Sequence, residues 1–294
     1  MSAHSFNIKT SASADMPKLS DQDFSRFQKF IHTTTGIFLA PTKRLLVTGR
    51  LTKRLRFLNL STFKEYFDLI FQPNQKRELQ TAIDLITTNE THFFREPKHF
   101  DFLEKLLKNQ MTHSHLPTQN ATHTLRVWSA ACSSGEEPYT LAMVLAECFP
   151  TLKNWEVVAT DLSTRVLEQA ARGHYRMERA KDIPTHLLHK YCLKGVRKQK
   201  GTFLIEKNLR NKIKFVHANL NHPETLSSLG EFDIIFLRNV MIYFDPETKM
   251  RVVNHLLKQL RVGGYFFIGH SETLTGFTKN LKSVMPTVYQ KIAI

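Results

Sequence analysis

Four short stretches bring together residue types that can bind or steer a charged group. The run ITTNETHFFREPKHF (86–100) sets Asn89, Thr91 and Arg95 among three phenylalanines, and Pro97 closes it. A core helix would not place an arginine there without a partner, and a surface loop rarely carries so many aromatics. WSAACSSGEEPYTLAM (128–143) has a turn of small residues from Ala130 to Gly135 that lets a ligand approach the backbone closely. It is neither GxGxxG nor a P-loop. Glu136 and Glu137 open the helix that follows, where carboxylates would repel a phosphate and cancel the positive helix end. A ligand at this turn is therefore expected to be something other than a phosphate, and a positive centre would suit it. The plainer alternative is that both glutamates only stabilise the helix N-terminus.

ATDLS (159–163) places Asp161 at a strand end, where it can accept hydrogen bonds from both ribose hydroxyls of an adenosine. Asp161 could instead cap the next helix, a task Ser163 can also perform. In FDIIFLRNVMIYF (232–244), Arg238 and Asn239 stand where the apolar run stops, at the edge where open α/β sheets receive ligands, and Tyr243 follows. The bland reading makes Asn239 a turn residue and Tyr243 a packing residue.

These residues need elements to hold them. After a polar leader (1–18), Ser20, Asp21 and Asp23 can cap a helix with Phe24, Phe27, Phe30 and Ile31 on its apolar face. Pro41 suits the first turn of a second helix. Thr62 and Glu65 have capping-box spacing for a third, through about Phe71, and a fourth runs from about Asn74 to Ile86. Residues 19–86 thus read as an all-helical domain. Residues 87–123 hold the aromatic-polar run, a helix near 98–109 and a polar linker. From 124 to 294, short β-rich runs (124–130, 155–160, 213–218, 232–237, 265–270) alternate with helical segments near 136–148, 163–172 and 246–260. That alternation indicates an α/β fold with a parallel sheet covered on both faces. The stretch from Thr160 to Ile213 is too long for a simple crossover, which suggests a small β excursion, at about 176–212. TVYQKIAI (287–294) could add an edge strand.

Composition limits the choices. The chain has 294 residues, 41% hydrophobic, and a formal charge of +15. It is long enough for a substantial core, and its charge calls for a polyanionic partner: nucleic acid, an anionic membrane or an acidic protein surface. No apolar run reaches the roughly 18 residues of a membrane span, and the N-terminus shows no secretion signal. Cys132, Cys148 and Cys192 form no CxxC, and the histidines show no HExxH, so neither a disulfide framework nor a metal site is expected. A cytoplasmic location fits.

Taken in order, TNETHFFRE, WSAACSSGEEPYTLAM, ATDLSTRVLEQA, RNVMIYF and GHSETL resemble the chemotaxis receptor methyltransferases, the CheR family, from about residue 20 to the C-terminus. The resemblance implies a helical N-terminal domain and a Rossmann-like methyltransferase domain with a small β-subdomain. It implies transfer of a methyl group from S-adenosylmethionine to glutamate side chains of chemoreceptors, leaving S-adenosylhomocysteine. Carried over by motif, Asn89, Thr91 and Arg95 contact the cofactor from the helical side, and Glu136 and Asp161 from the first two strand ends. Asn219 and Leu220, in HANLN, flank the adenine, and Arg238 and Asn239 close the pocket. Arg95 and Tyr243 lie nearest the transferred methyl. Phe93 and Phe94 would anchor a lid between the two domains.

The run KRLLVTGRLTKRLR (43–56) carries six positive charges and no negative one. Arg50, Lys53 and Arg54 have the spacing of one helix face. It resembles the family's receptor-recognition helix; a solvated face is the plain alternative. In some family members the β-subdomain docks a receptor's C-terminal tail. A nucleic-acid methyltransferase is a rival reading, but the Asp/Asn-Pro-Pro-aromatic motif is replaced by RNVMIY, and no cysteine follows a proline. A non-catalytic S-adenosylmethionine-binding sensor is a second.

Overall fold

The computed structural model describes residues 17–110, 124–149, 155–274, 276 and 279–293. Most of the leader and of the linker read from the sequence lies outside the described residues. The chain divides into two compact units, one through Phe30 and over Ala40–Ile86, the other over Ile31–Leu39 and from Thr87 onward.

The first unit is helical: α1 (Asp21–Thr35, its last turn counted with the second unit), α2 (Arg44–Phe57), α3 (Phe63–Ile70) and α4 (Lys76–Ile86). Ser20 Oγ accepts from the Asp23 N–H at 3.1 Å and starts α1. Pro41 opens a 3-10 turn that runs into α2. The Thr62–Glu65 capping box forms, with Thr62 Oγ1 accepting from the Glu65 N–H and Glu65 Oε2 from the Thr62 N–H, each at 3.2 Å. Phe27 stacks on Phe67 at 4.5 Å between ring centres, and both are fully buried, together with Phe63 and Tyr66. Burying each such ring stabilises the unit by about 2–3 kcal/mol.

The second unit contains α5 (Lys98–Gln110), β1 (Leu125–Ala130), α6 (Glu136–Cys148), β2 (Trp155–Asp161), α7 (Thr164–Arg172), β3 (His174–Arg176), α8 (Thr185–Tyr191), β4 (Cys192–Lys194), β5 (Thr202–Ile205), α9 (Lys207–Arg210), β6 (Ile213–His217), α10 (Pro223–Leu226), β7 (Phe232–Leu237), α11 (Pro246–Gln259), β8 (Leu260–Ile268), β9 (Leu281–Met285) and β10 (Val288–Lys291). The main sheet runs β6-β2-β1-β7-β8-β10-β9; the neighbours from β6 to β8 are parallel, and β10 and β9 are antiparallel. β7 shows why its sequence is an unbroken apolar run. Phe232, Ile235 and Leu237 enter one core beside Trp128 and Phe266, while Ile234 and Phe236 enter the other beside Phe100 and Phe267. Among the described residues no helix is long and apolar enough to cross a membrane.

Two sequence expectations change. The C-terminal run forms β10, which is interior, between β8 and β9. The edge strand is β9, whose central Lys282, Ser283 and Val284 are exposed and give no alternating pattern. β8 starts at Leu260 rather than 265: Leu260 leaves α11 already extended (φ −86°, ψ 130°) and pairs with Phe232, and Gly263, at φ 83°, lies in the irregular stretch before the pairing resumes at Tyr265. The excursion is a small antiparallel sheet, β3-β5-β4, spanning 174–205.

Candidate active site

The β1–α6 turn is shaped by its backbone. Ala131 and Ser133 are left-handed (φ 64° and 50°), and Gly135 has φ 96°. A Cβ at Gly135 would lie 2.8 Å from Ala170 Cβ and 2.9 Å from Tyr175 Oη, so only glycine fits. Asp161 holds this turn: its carboxylate accepts from the Ser133 N–H at 2.8 Å and from the Ser163 N–H at 2.9 Å. Ser163 caps α7, its Oγ accepting from the Val166 N–H. Asp161 is thus less free than the sequence suggested. A carboxylate oxygen can accept more than one hydrogen bond, as a ribose diol requires.

The aromatic-polar run lies across this edge. Asn89's carbonyl accepts from Ser133 Oγ at 3.1 Å, and its amide donates to Thr87 Oγ1 at 3.2 Å. Thr91's carbonyl accepts from Arg179 Nη1 at 2.7 Å. Arg95 is half-buried and donates to the Glu90 carbonyl at 3.0 Å. Phe93 is fully buried inside the second unit, edge-on to Tyr175 at 5.1 Å and beside Phe203 at 5.9 Å. Phe94 lies 5.6 Å from Phe100 and donates its N–H to Thr140 Oγ1 at 3.1 Å. This corrects the expected interdomain anchor: β3 and β5 turn Tyr175 and Phe203 inward, and the run beds on that small sheet. Phe94 and Glu96 are left-handed (φ 52° and 58°), local strain of the kind found at binding sites.

Two ion clusters line the strand ends. Glu136 is fully buried; Oε2 accepts from Ser134 Oγ at 2.6 Å and Oε1 from Arg179 Nη1 at 3.2 Å. Desolvation raises its pKa despite these donors. Glu137 accepts from Ser129 Oγ at 2.7 Å and from Arg238 Nη1 at 3.0 Å, and burial raises its pKa too. Arg238 donates as well to Glu96 Oε2 at 3.0 Å and to the Arg95 carbonyl. Burial pushes Glu96 up, but Arg238, the His270 N–H and Asn239 outweigh it and hold it below the ordinary carboxylate value. Asn239 is left-handed (φ 56°); its amide reaches Glu96 Oε1 at 3.2 Å. Glu272 fixes that turn by accepting from the backbone N–H groups of Asn239 (3.0 Å), Gly269 (2.7 Å) and Met241 (2.8 Å). Arg238 and Asn239 are therefore parts of a satisfied scaffold at the end of β7.

Glu96, His99 and His270 bring ligand-type atoms within 4.8 Å of one another, a grouping the sequence did not suggest. Both oxygens of Glu96 already accept protein N–H groups, and Arg238 supplies the cation. Burial, with Arg238 beside it, lowers the His99 pKa to about 4.

Asn219 and Tyr243 are tied to residues 31–39 of the same unit. The Asn219 amide donates to the Thr34 carbonyl at 2.8 Å, and the Tyr243 carbonyl accepts from the Phe38 N–H at 2.8 Å. Leu220 is buried, and Tyr243, half-buried, ends the 3-10 turn Met241–Tyr243. The sequence reading missed Glu96, Ser133, Arg179 and Glu272; three of them stood in recognised motifs, TNETHFFRE, WSAACSSGEEPYTLAM and GHSETL, and Arg179 in none.

In the helical unit, the expected basic face is partly spent internally. Arg54 Nε donates to Glu78 Oε1 at 2.9 Å, where Tyr66 Oη also donates, and Arg50 donates to the Ile86 carbonyl at 2.6 Å. Lys53 is exposed, with Arg56.

Residues 22–87 match the family described as CheR methyltransferase, all-alpha domain, and residues 89–290 match CheR methyltransferase, SAM binding domain. The chain is 39% identical over 272 residues to chemotaxis protein methyltransferase 2 of Pseudomonas aeruginosa, covering 91% of this chain and 92% of that protein. It is 38% identical over 276 residues to the chemotaxis protein methyltransferase of Borreliella burgdorferi (93% and 95%) and 38% over 272 residues to that of Escherichia coli (92% and 91%). The chain therefore belongs to the CheR methyltransferase family and carries its S-adenosylmethionine-binding domain behind its all-α domain.

Proposed function

We propose that this protein methylates glutamate side chains of chemoreceptor cytoplasmic domains, in the cytoplasm, giving glutamate methyl esters. The observation that carries the reading is the convergence on one sheet edge of Asp161, Glu136 and the Asn89–Arg95 run, with no general base demanded. When bound, S-adenosylmethionine supplies an electrophilic sulfonium methyl. A free glutamate titrates near 4.3, so at neutral pH the acceptor is already an anionic nucleophile. Its oxygen forms the new C–O bond as the C–S bond breaks, and no proton has to move. The chain's residues then have to position the reactants and exclude water.

Asp161 accepts from the ribose hydroxyls through the carboxylate that also holds the Ser133 and Ser163 N–H groups. Asn219 and Leu220 flank the adenine, and Asn89, Thr91 and Glu136 border the amino-acid end. Arg95, whose guanidinium makes a neutral carbonyl contact, holds the cofactor carboxylate or steers the incoming glutamate. Tyr243 orients the attacking carboxylate. On the helical unit, Lys53 offers its charge outward, while Arg50 and Arg54 each keep part of their donor set engaged; together they are assigned to the acidic methylation segment. The small sheet is a candidate dock for a receptor tail.

The test is a radiolabelled methyl assay on receptor-containing membranes and on RNA. Base-labile label on protein is expected. Label on RNA alone, or none, overturns the reading. Arg95→Ala and Tyr243→Phe are expected to cut turnover at least tenfold, with unchanged unfolding temperature; wild-type turnover in both sinks their assignment.

A further inference from the structure

We infer that Arg179, carried by the excursion between α7 and β6, is a positioning residue of the cofactor site. A single guanidinium nitrogen joins two parts of that site that lie far apart in sequence: Nη1 donates to the Thr91 carbonyl at 2.7 Å and to Glu136 Oε1 at 3.2 Å. The inference rests on the placement of Thr91 and Glu136 at the cofactor.

Glu136 needs this partner. Its side chain is fully buried, and a buried carboxylate stays charged only with a cation or several donors around it. The titratable groups facing it are few. Tyr175 comes from β3 and Cys132 from the turn, and burial pushes both well above their ordinary values, so neither carries charge at neutral pH. His92, from the lid, is drawn toward Asp182 at 3.3 Å. Arg179 is thus the fixed positive charge in direct contact with Glu136 among the described residues.

The excursion grips the same place in other ways. Tyr175 Oη donates to the Ser134 carbonyl at 2.7 Å, on the turn, while the rings of Tyr175 and Phe203 carry Phe93 of the lid. The small sheet is therefore built into the cofactor pocket, and Arg179 is its polar contact with both walls. Its side chain is 46% exposed, so truncating it opens no hole in the core.

The experiment is calorimetric titration of the full chain with S-adenosylhomocysteine, from pH 5.5 to 8, for wild type, Arg179→Ala, Arg179→Lys, Glu136→Gln and the Arg179→Ala/Glu136→Gln double variant. Arg179→Ala is expected to bind about tenfold more weakly at pH 7, with an unchanged melting temperature, and Arg179→Lys to recover part of the loss. Without its cation Glu136 holds a proton to higher pH, so the Arg179→Ala defect deepens as pH falls and shrinks as pH rises. A merely structural role would not produce that profile. On the Glu136→Gln background, Arg179→Ala should cost roughly threefold or less. Wild-type affinity and pH profile in Arg179→Ala, with Glu136→Gln weakened, overturns the role of Arg179 alone. Normal binding by Glu136→Gln overturns the placement of Glu136 at the cofactor.

Discussion

Glu136 and Glu137 are neighbours in sequence and differ in almost everything else. Consecutive helix residues point about 100° apart, so one carboxylate meets an arginine from the excursion and the other an arginine from the end of β7. The arginine facing Glu136 is 46% exposed, and the one facing Glu137 is 2% exposed and shared with Glu96. One side of the strand ends is therefore locked into the interior by a carboxylate–guanidinium–carboxylate sandwich. The other is held by a side chain that solvent can reach. The difference teaches that charge at the strand ends can have two uses, and that exposure of the cation separates them: Arg238 belongs to the scaffold, and Arg179 is the one proposed for binding.

The sharpest way to break this contrast is to remove the arginines in turn. Arg238→Ala strands two carboxylates and should lower unfolding free energy by about 3–5 kcal/mol in denaturant titration; a loss equal to that of Arg179→Ala would erase the distinction. Next come the glutamates. Glu137→Gln weakens the pairing of a buried guanidinium and should cost about 2 kcal/mol. Glu136→Gln removes a carboxylate whose ionisation burial opposes, and should leave stability near wild type while weakening cofactor binding. Finally, His99 reports on the locked side through pH. Its pKa is lowered to about 4 by burial first and Arg238 second, so the native state excludes a proton that the unfolded chain takes up near 6.5. Stability should therefore fall as pH drops through that window, by roughly 2 kcal/mol between pH 7 and pH 5. His99→Gln should remove that part of the slope, and an unchanged slope would show the proton to be taken up elsewhere.

Much of the fold was legible because local signals agreed with tertiary ones. The Thr62–Glu65 box, the Ser163 cap and the two-sided apolar run of β7 each stated their element in a few residues. β9 was not legible, since Leu281–Met285 is exposed along most of its length and owes its conformation to pairing with β10. Of the site, strand-end residues could be placed by the general rule for open sheets. Their partners could not. Arg179 lies 43 residues from Glu136, Glu96 lies 142 from Arg238 and 174 from His270, and Glu272 lies 31 from Met241 and 33 from Asn239. Periodicity carries no information over such distances. The same holds for Arg54, which looked like part of an outward face until Glu78 took its donors.

The assignment of residues 31–39 to the second unit has a practical side. A fragment cut at Thr87, the obvious seam in the chain, would discard the Thr34 carbonyl and the Phe38 amide. Asn219 and Tyr243 would each lose an anchor, and His32 would no longer meet Asp245 at the start of α11. Such a fragment would keep every strand of the main sheet and still be incomplete, since part of what steadies Asn219 and Tyr243 is encoded before the seam.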